Sequence, residues 1–242
     1  MRNITPRCFV AVATALFTYM LTASAGCTDR KTAPPSQTTI ESHSIDLVEA
    51  PTSPMKVRTT FSVSAEEARR HVAEARERGM PPDGLLLIAN TATQRAVLTD
   101  SREILLEYMM SSSKFGTGSQ IHSNKTPLGW HKVEERFGGN QLHGSIFVAR
   151  QPQKRILRPD EWRNDDDGDF VLTRILWLDG LEPGVNRGGA LDTHTRCIYI
   201  HGTNQEHLLG KPASHGCIRL SNRDVMELFD LTEGRELYCL IQ

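Results

Sequence analysis

The chain has 242 residues and a formal net charge of −1, enough for one sizeable core with a small appendage. Charges of both signs are interspersed and no basic stripe is present, which argues against a nucleic-acid partner. The 18 glycines and 12 prolines fit a loop-rich β protein better than a helical bundle.

Residues 1–26 read as a signal segment. Arg2 and Arg7 form a positive start, an apolar run extends from Cys8 to Thr22, and Ala23-Ser24-Ala25-Gly26-Cys27 supplies small residues for processing. The apolar run is short for a membrane span, which needs about 20 residues. Ala23-Ser24-Ala25 fits ordinary secretion of a soluble protein. Ser24-Ala25-Gly26-Cys27 resembles a bacterial lipobox, with Ser in place of the usual Leu, and would leave a lipidated Cys27 as a membrane anchor. Residues 27–60, rich in Ser, Thr and Pro, read as a flexible tether and favour the lipidated form, because a tethered domain needs a leash. Thr28 after the cysteine resembles Gram-negative lipoproteins of the outer membrane, so the expected location is the periplasm and cell envelope. Loss of residues 1–26 takes the net charge from −1 to −3 and leaves Cys197, Cys217 and Cys239 beyond Cys27. An odd count in an exported protein points to a free thiol; Cys197 and Cys239 either pair, leaving Cys217 alone, or are both buried as apolar residues.

A helix is expected within residues 61–83. Ser64 and Glu67 form a capping box, Ala65–Arg78 is rich in Ala, Glu and Arg, and Gly79 stops the run. Its narrow apolar stripe of Ala68, Val72 and Ala75 suits a helix leaning on a larger domain. That domain is expected at 84–242. Leu85–Ala89 reads as a buried strand, and Arg95–Thr99 and Ile104–Met109 continue it as a meander. Residues 111–126 are a loop, and Pro127-Leu128-Gly129-Trp130 opens another strand. Residues 135–190 read as an irregular insert. Within it, Asp165-Asp166-Asp167-Gly168-Asp169 invites a calcium reading, but an EF-hand register would place Arg163 and Arg174 at ligand positions. A solvated turn with a D-G signal suits the run better. Residues 196–201 form a strand, 222–229 a helix capped by Ser221 with Asp224 in its first turn, and 235–241 the last strand.

The chemistry concentrates between Tyr199 and Asn222. His201-Gly202-Thr203 is followed by Ser214-His215-Gly216-Cys217-Ile218-Arg219-Leu220. A thiol attacks only as thiolate, and a neighbouring imidazole can take its proton. Glycine beside the thiol lets a carbonyl approach and frees backbone N–H groups for a developing oxyanion. Either His215 or His201 could serve as the base. The alternation of the strand puts Cys197, Tyr199 and His201 on one side and Ile198 and Ile200 on the other. A zinc site from His201, His207, His215 and Cys217 matches no standard ligand spacing. His122, His131, His143 and His194 read as surface or loop residues.

This run resembles the catalytic signature of the L,D-transpeptidase catalytic domain (YkuD-type) family, H-G-T followed by S-H-G-C-[IV]-R-[ML]. Thr126-Pro127-Leu128-Gly129-Trp130 is similar to that family's T-P-x-G-[FY] strand, with Trp as the aromatic. The resemblance covers about residues 84–242. It implies a mainly β fold, a sandwich or open barrel of mixed sheets with a few flanking helices. It implies that Cys217 is the nucleophile and His201 its base, with the Gly202 carbonyl orienting the imidazole. The N–H groups of Gly216 and Cys217 would line an oxyanion hole, and His215 would buttress the loop. Arg219 would fix the loop or meet a substrate carboxylate; Tyr199, Ser214 and Asn186, the last on a loop (residues 184–189) that could cover the cleft, complete the candidate substrate contacts. The implied substrates are peptidoglycan stem peptides, acylated on Cys217 and passed to an amine of another stem or of an anchored protein, or to water in a carboxypeptidase or hydrolase. A non-catalytic wall-binding lipoprotein is the rival from another class. No cofactor or metal is implied.

Overall fold

The protein is represented by a computed structural model that describes residues 61–162 and 168–242. The signal segment, the Cys27 lipidation site, the 27–60 tether and residues 163–167, on which most of the calcium and turn readings fall, lie outside the described residues.

Helix α1 spans Ala65–Glu77, and Ser64 Oγ accepts the Glu67 N–H at 3.1 Å, as the capping pattern predicts. Ten strands follow among the described residues: β1 (Leu85–Asn90), β2 (Arg95–Thr99), β3 (Ile104–Met109), β4 (Gly129–Phe137), β5 (Ser145–Val148), β6 (Gln151–Ile156), β7 (Val171–Gly180), β8 (Tyr199–Gly202), β9 (Ile218–Leu220) and β10 (Leu237–Ile241). Helix α2 (Asn222–Leu231) lies between β9 and β10, with Ser221 Oγ accepting the Asp224 N–H. Among the described residues the fold is mainly β, with a mixed sheet and two α-helices.

The strands pair in the order β3-β2-β1-β10-β4-β7, and β8 and β9 continue from β7. The β1/β10 and β8/β9 pairs are parallel and the others antiparallel. Beyond β3, Ser111 exchanges two backbone hydrogen bonds of 2.9 Å with Arg219 of β9. The path therefore curls back on itself at the Ser111–Arg219 bridge, while the β5–β6 hairpin branches from β7 with β6 at an edge. Leu85, Leu87 and Ala89 of β1 meet Ile198, Ile200, Ile218, Leu220, Cys239 and the apolar side of α2 in the central core. Leu86 and Ile88 point the other way, against Val72 and Ala75 of α1 and against Trp130, Tyr238 and Leu240. The unbroken apolar run at Leu85–Ala89 is the signature of a strand covered on both faces.

Residues 135–190 are not an irregular insert. They contain the end of β4, the β5–β6 hairpin and β7, which pairs with β4, β5 and β8 and is the longest strand. The strand was hard to read because Leu172–Leu178 is buried on both faces and carries Thr173 and Arg174 in the run, which breaks any period of two. The Cys197–Cys239 bridge does not form. Cys239 is a free thiol inside the central core, whereas Cys197 packs outside it with Trp177, Tyr199 and Cys217.

Candidate active site

The site is built by the parallel pair β8/β9. Ile200 lies opposite Ile218, His201 opposite Arg219 and Gly202 opposite Leu220. Residues opposite one another share a face, and alternate residues share the other. Ile198, Ile200, Ile218 and Leu220 fill the core. Tyr199, His201, Cys217 and Arg219 therefore project together on the outer face, as the alternation of the sequence requires.

His201 is 3% exposed and its Nδ1 lies 2.7 Å from the Gly202 carbonyl oxygen. A carbonyl only accepts, so Nδ1 carries the proton and Nε2 is left as the acceptor. Burial lowers the His201 pKa to about 4, against the pull of Asp169 and of the Gly202 carbonyl, so the ring is neutral at pH 7. The Cys217 thiol accepts the Tyr199 N–H at 3.3 Å and donates to the Cys197 carbonyl at 3.5 Å. Burial pushes its pKa up to about 11, opposed by the Tyr199 N–H and the positive charges of Arg219 and Arg196. Among the described residues the thiol's hydrogen bonds are to backbone groups and not to His201. The resting pair is thus two uncharged groups on neighbouring strands.

Gly202 leaves no room for a side chain, since a Cβ there would lie 2.3 Å from Asn222 Oδ1. Asn222 itself is tied to the Thr173 hydroxyl and the Thr203 carbonyl, which seats α2 behind the histidine. The loop before the thiol is braced from within. Ser214 Oγ donates to the Cys217 carbonyl at 2.6 Å, and Thr126 Oγ1 donates to the Gly216 carbonyl at 3.0 Å. Arg196 holds the facing loop through the Lys125 carbonyl at 2.6 Å. Beside the thiol, past Cys197, lies a cavity of about 330 Å3 lined by Glu135, Arg150, Trp177 and His194 among others. Trp177 stacks on His194 at 3.8 Å and meets the Tyr199 ring edge-on, and Arg150 donates to the Tyr199 hydroxyl at 3.0 Å.

The sequence model of the L,D-transpeptidase catalytic domain (YkuD) matches residues 85–236, which takes in β1 through α2 and every residue of this site. The chain belongs to this L,D-transpeptidase family. A Bacillus licheniformis protein, itself named only provisionally as the L,D-transpeptidase YkuD, is 62% identical over 29 residues, which are 12% of this chain and 18% of that one. An L,D-transpeptidase structure from Mycobacterium smegmatis aligns at 17% identity and a TM-score of 0.38, covering 65% of this chain and 58% of that one. One from Xylanimonas cellulosilytica aligns at 17% identity and 0.37, covering 72% and 68%. The chain thus spans a small part of the first of these relatives and under two thirds of the second.

Several residues of this L,D-transpeptidase domain do something other than the sequence suggested. The Gly216 N–H donates to Ser214 Oγ at 3.2 Å, so it is turned into the loop and away from a substrate carbonyl. Ser214 is buried as that brace and not as a substrate contact. Arg219 is fully buried and spends its guanidinium on Asp169 and on Gln205 Oε1, which makes it the loop-fixing residue of the two alternatives. His215 Nδ1 lies 3.0 Å from Asp169 Oδ2, with the ring half exposed. Tyr199 is buried, its ring edge-on to Trp177, which lines the neighbouring cavity.

Asn186 is fully buried and does not sit on a cover over the cleft. It accepts the Glu182 N–H and donates to the Leu128 and Trp130 carbonyls at 2.9 and 3.1 Å, stitching its loop to β4. His131 is buried in the same network, bonded to Gly129 O and Thr193 Oγ1, and is no surface residue. Asn186→Ala strands these backbone groups and is expected to cost about 3 kcal/mol in urea unfolding. The alkylation rate of Cys217 in the folded protein should not change; a slowed rate would restore Asn186 to the site.

Sequence reasoning missed Asp169. The acidic run looked solvated, but its last residue turns inward at the entry to β7. Asn204 holds it there, donating to the Gly168 carbonyl at 2.8 Å and accepting the Phe170 N–H at 3.0 Å. The one available signal was Arg219 itself: a buried arginine needs an anion.

Proposed function

We propose that the protein is an L,D-transpeptidase that forms a thioester between Cys217 and a peptidoglycan stem peptide and transfers the acyl group to an amine. His201 Nε2 takes the thiol proton as Sγ attacks the carbonyl of the bond between the L-centre and the D-amino acid. It returns that proton to the departing D-amino acid. An acceptor amine then attacks the thioester, His201 takes its proton, and the C–S bond breaks to regenerate Cys217. The Cys217 N–H is the remaining backbone candidate for the oxyanion. The observation that carries the reading is the placement of Cys217 and His201 on one face of β8/β9 with Nδ1 locked to the Gly202 carbonyl. A signal segment and lipidated Cys27 would place the enzyme in the cell envelope, within reach of its substrate.

The test incubates the full chain with disaccharide-tetrapeptides and resolves products by mass. Crosslinked dimers are expected. Shortened monomers would mean that water is the acceptor and the enzyme is a carboxypeptidase. No product, together with no carbapenem adduct on Cys217, would overturn the enzymatic reading in favour of a wall-binding module.

A further inference from the structure

We propose that Asp169 is a positioning residue of this acyl-transfer site, a carboxylate placed between Arg219 and His215 to balance the buried guanidinium and to support positive charge on His201. The proposal rests on the function inferred above and adds a residue outside the H-G-T and S-H-G-C segments.

The geometry has three parts. Asp169 Oδ2 pairs with Arg219 and lies 3.0 Å from His215 Nδ1, so one oxygen joins β9 to the loop that carries the thiol. The two hydrogen bonds of Asn204, from the turn after β8, fix the backbone on both sides of Asp169. Arg219 is fully buried, and a buried cation without a partner is strongly unfavourable.

The charged and titratable groups around the reacting pair make the role specific. Arg219 faces it from β9 and Asp169 from the entry to β7, Arg196 acts on Cys217 from the turn before β8, Tyr199 of β8 adjoins Cys217, and His215 of the thiol loop contacts Asp169. Arg219 and Asp169 act on both reacting groups with opposite signs. The guanidinium favours thiolate and opposes imidazolium; the carboxylate does the reverse. When Sγ passes its proton to Nε2, the new imidazolium sits near Arg219. Asp169 is the anion that offsets this repulsion. Without it, resting Cys217 would ionise more readily while His201 became a weaker base.

Asp169→Asn keeps the shape and a hydrogen-bond acceptor but removes the charge. In the full chain, Cys217 alkylation by iodoacetamide is followed by mass from pH 6 to 10, beside muropeptide turnover. The alkylation curve of the variant is expected to move down by about one pH unit. Alkylation at pH 7 then becomes roughly tenfold faster, while acyl transfer slows by about tenfold or more. Asn204→Ala, which frees the segment without touching a charge, should move both readouts the same way by less. A purely structural role would slow both reactions together, and that result, or an unmoved alkylation curve in both variants, overturns the proposal. Absence of both product and carbapenem adduct from the wild-type chain would instead sink the proposed function, and the alkylation curve would still decide the charge role of Asp169.

Discussion

Cys217→Ala is expected to abolish every muropeptide product, a loss on the order of a million-fold as when other acyl-transfer enzymes lose their nucleophile. Among the described residues no other group in reach can replace the thiol, since Cys197, which packs beside it, is disulfide-bonded. The Ser214 hydroxyl is spent on the Cys217 carbonyl, and Cys239 is sealed on the opposite side of the strands. The fold should survive. The residue is partly exposed and its hydrogen bonds are the long ones of a thiol, so the change in unfolding free energy should stay near 1 kcal/mol. Intact-mass detection of a stem-peptide thioester on the wild type, and its disappearance in the variant, is the measurement. Product formation by Cys217→Ala above about one percent of wild type would reject Cys217 as the nucleophile.

His201→Gln, which roughly keeps the volume of the ring, should slow acylation by about 10²- to 10⁴-fold, the usual worth of a general base. The pKa directions bear on how His201 would act as the proposed base. Burial holds His201 neutral down to about 4 and holds Cys217 protonated up to about 11. At pH 7 the resting site is therefore a thiol beside an imidazole, with roughly one thiol in ten thousand ionised. In the proposed reaction proton transfer would then accompany attack, with His201 as the base. Two outcomes follow. Alkylation of wild-type Cys217 should climb steadily from pH 6 to 10 without a plateau, since the thiolate grows only as pH approaches the raised pKa. In His201→Gln the alkylation at pH 10 should survive while acylation by stem peptide is lost, because hydroxide can replace the base only in the first reaction. A plateau already reached below pH 8 would reveal a preformed thiolate–imidazolium pair and defeat this account.

The extent to which the site was legible depended on distance along the chain. His201 and Cys217 stood out because the chemistry needs a thiol, an imidazole and glycines in one short run. The side to which Cys197, Tyr199 and His201 point followed from strand alternation, a property of adjacent residues, whereas the β8/β9 register brought Cys217 to that side. The caps at Ser64 and Ser221 were legible for the same reason, since each hydrogen bond spans three residues. Asp169 was not legible, because its partner Arg219 is 50 residues away and an acidic run before a strand is usually solvated. Asn186 misled in the opposite sense. A glycine-flanked Asn reads as a mobile loop until Leu128 and Trp130 are seen to take its hydrogens from 58 and 56 residues upstream.

By itself the sequence determined the local chemistry and the local elements: the thiol and its candidate bases, the directions of the residues from Cys197 to His201, the helix caps and the doubly covered strand at Leu85–Ala89. Only the tertiary structure decided that β7 runs through the supposed insert, that the Gly216 N–H turns inward, that Cys239 lies beyond reach of Cys197, and that Asp169 balances Arg219. The physical reason is common to all four. Strand period and capping are set within a few residues, whereas pairing a buried charge, a buried amide or a strand edge depends on which distant segment the closing sheet brings beside it.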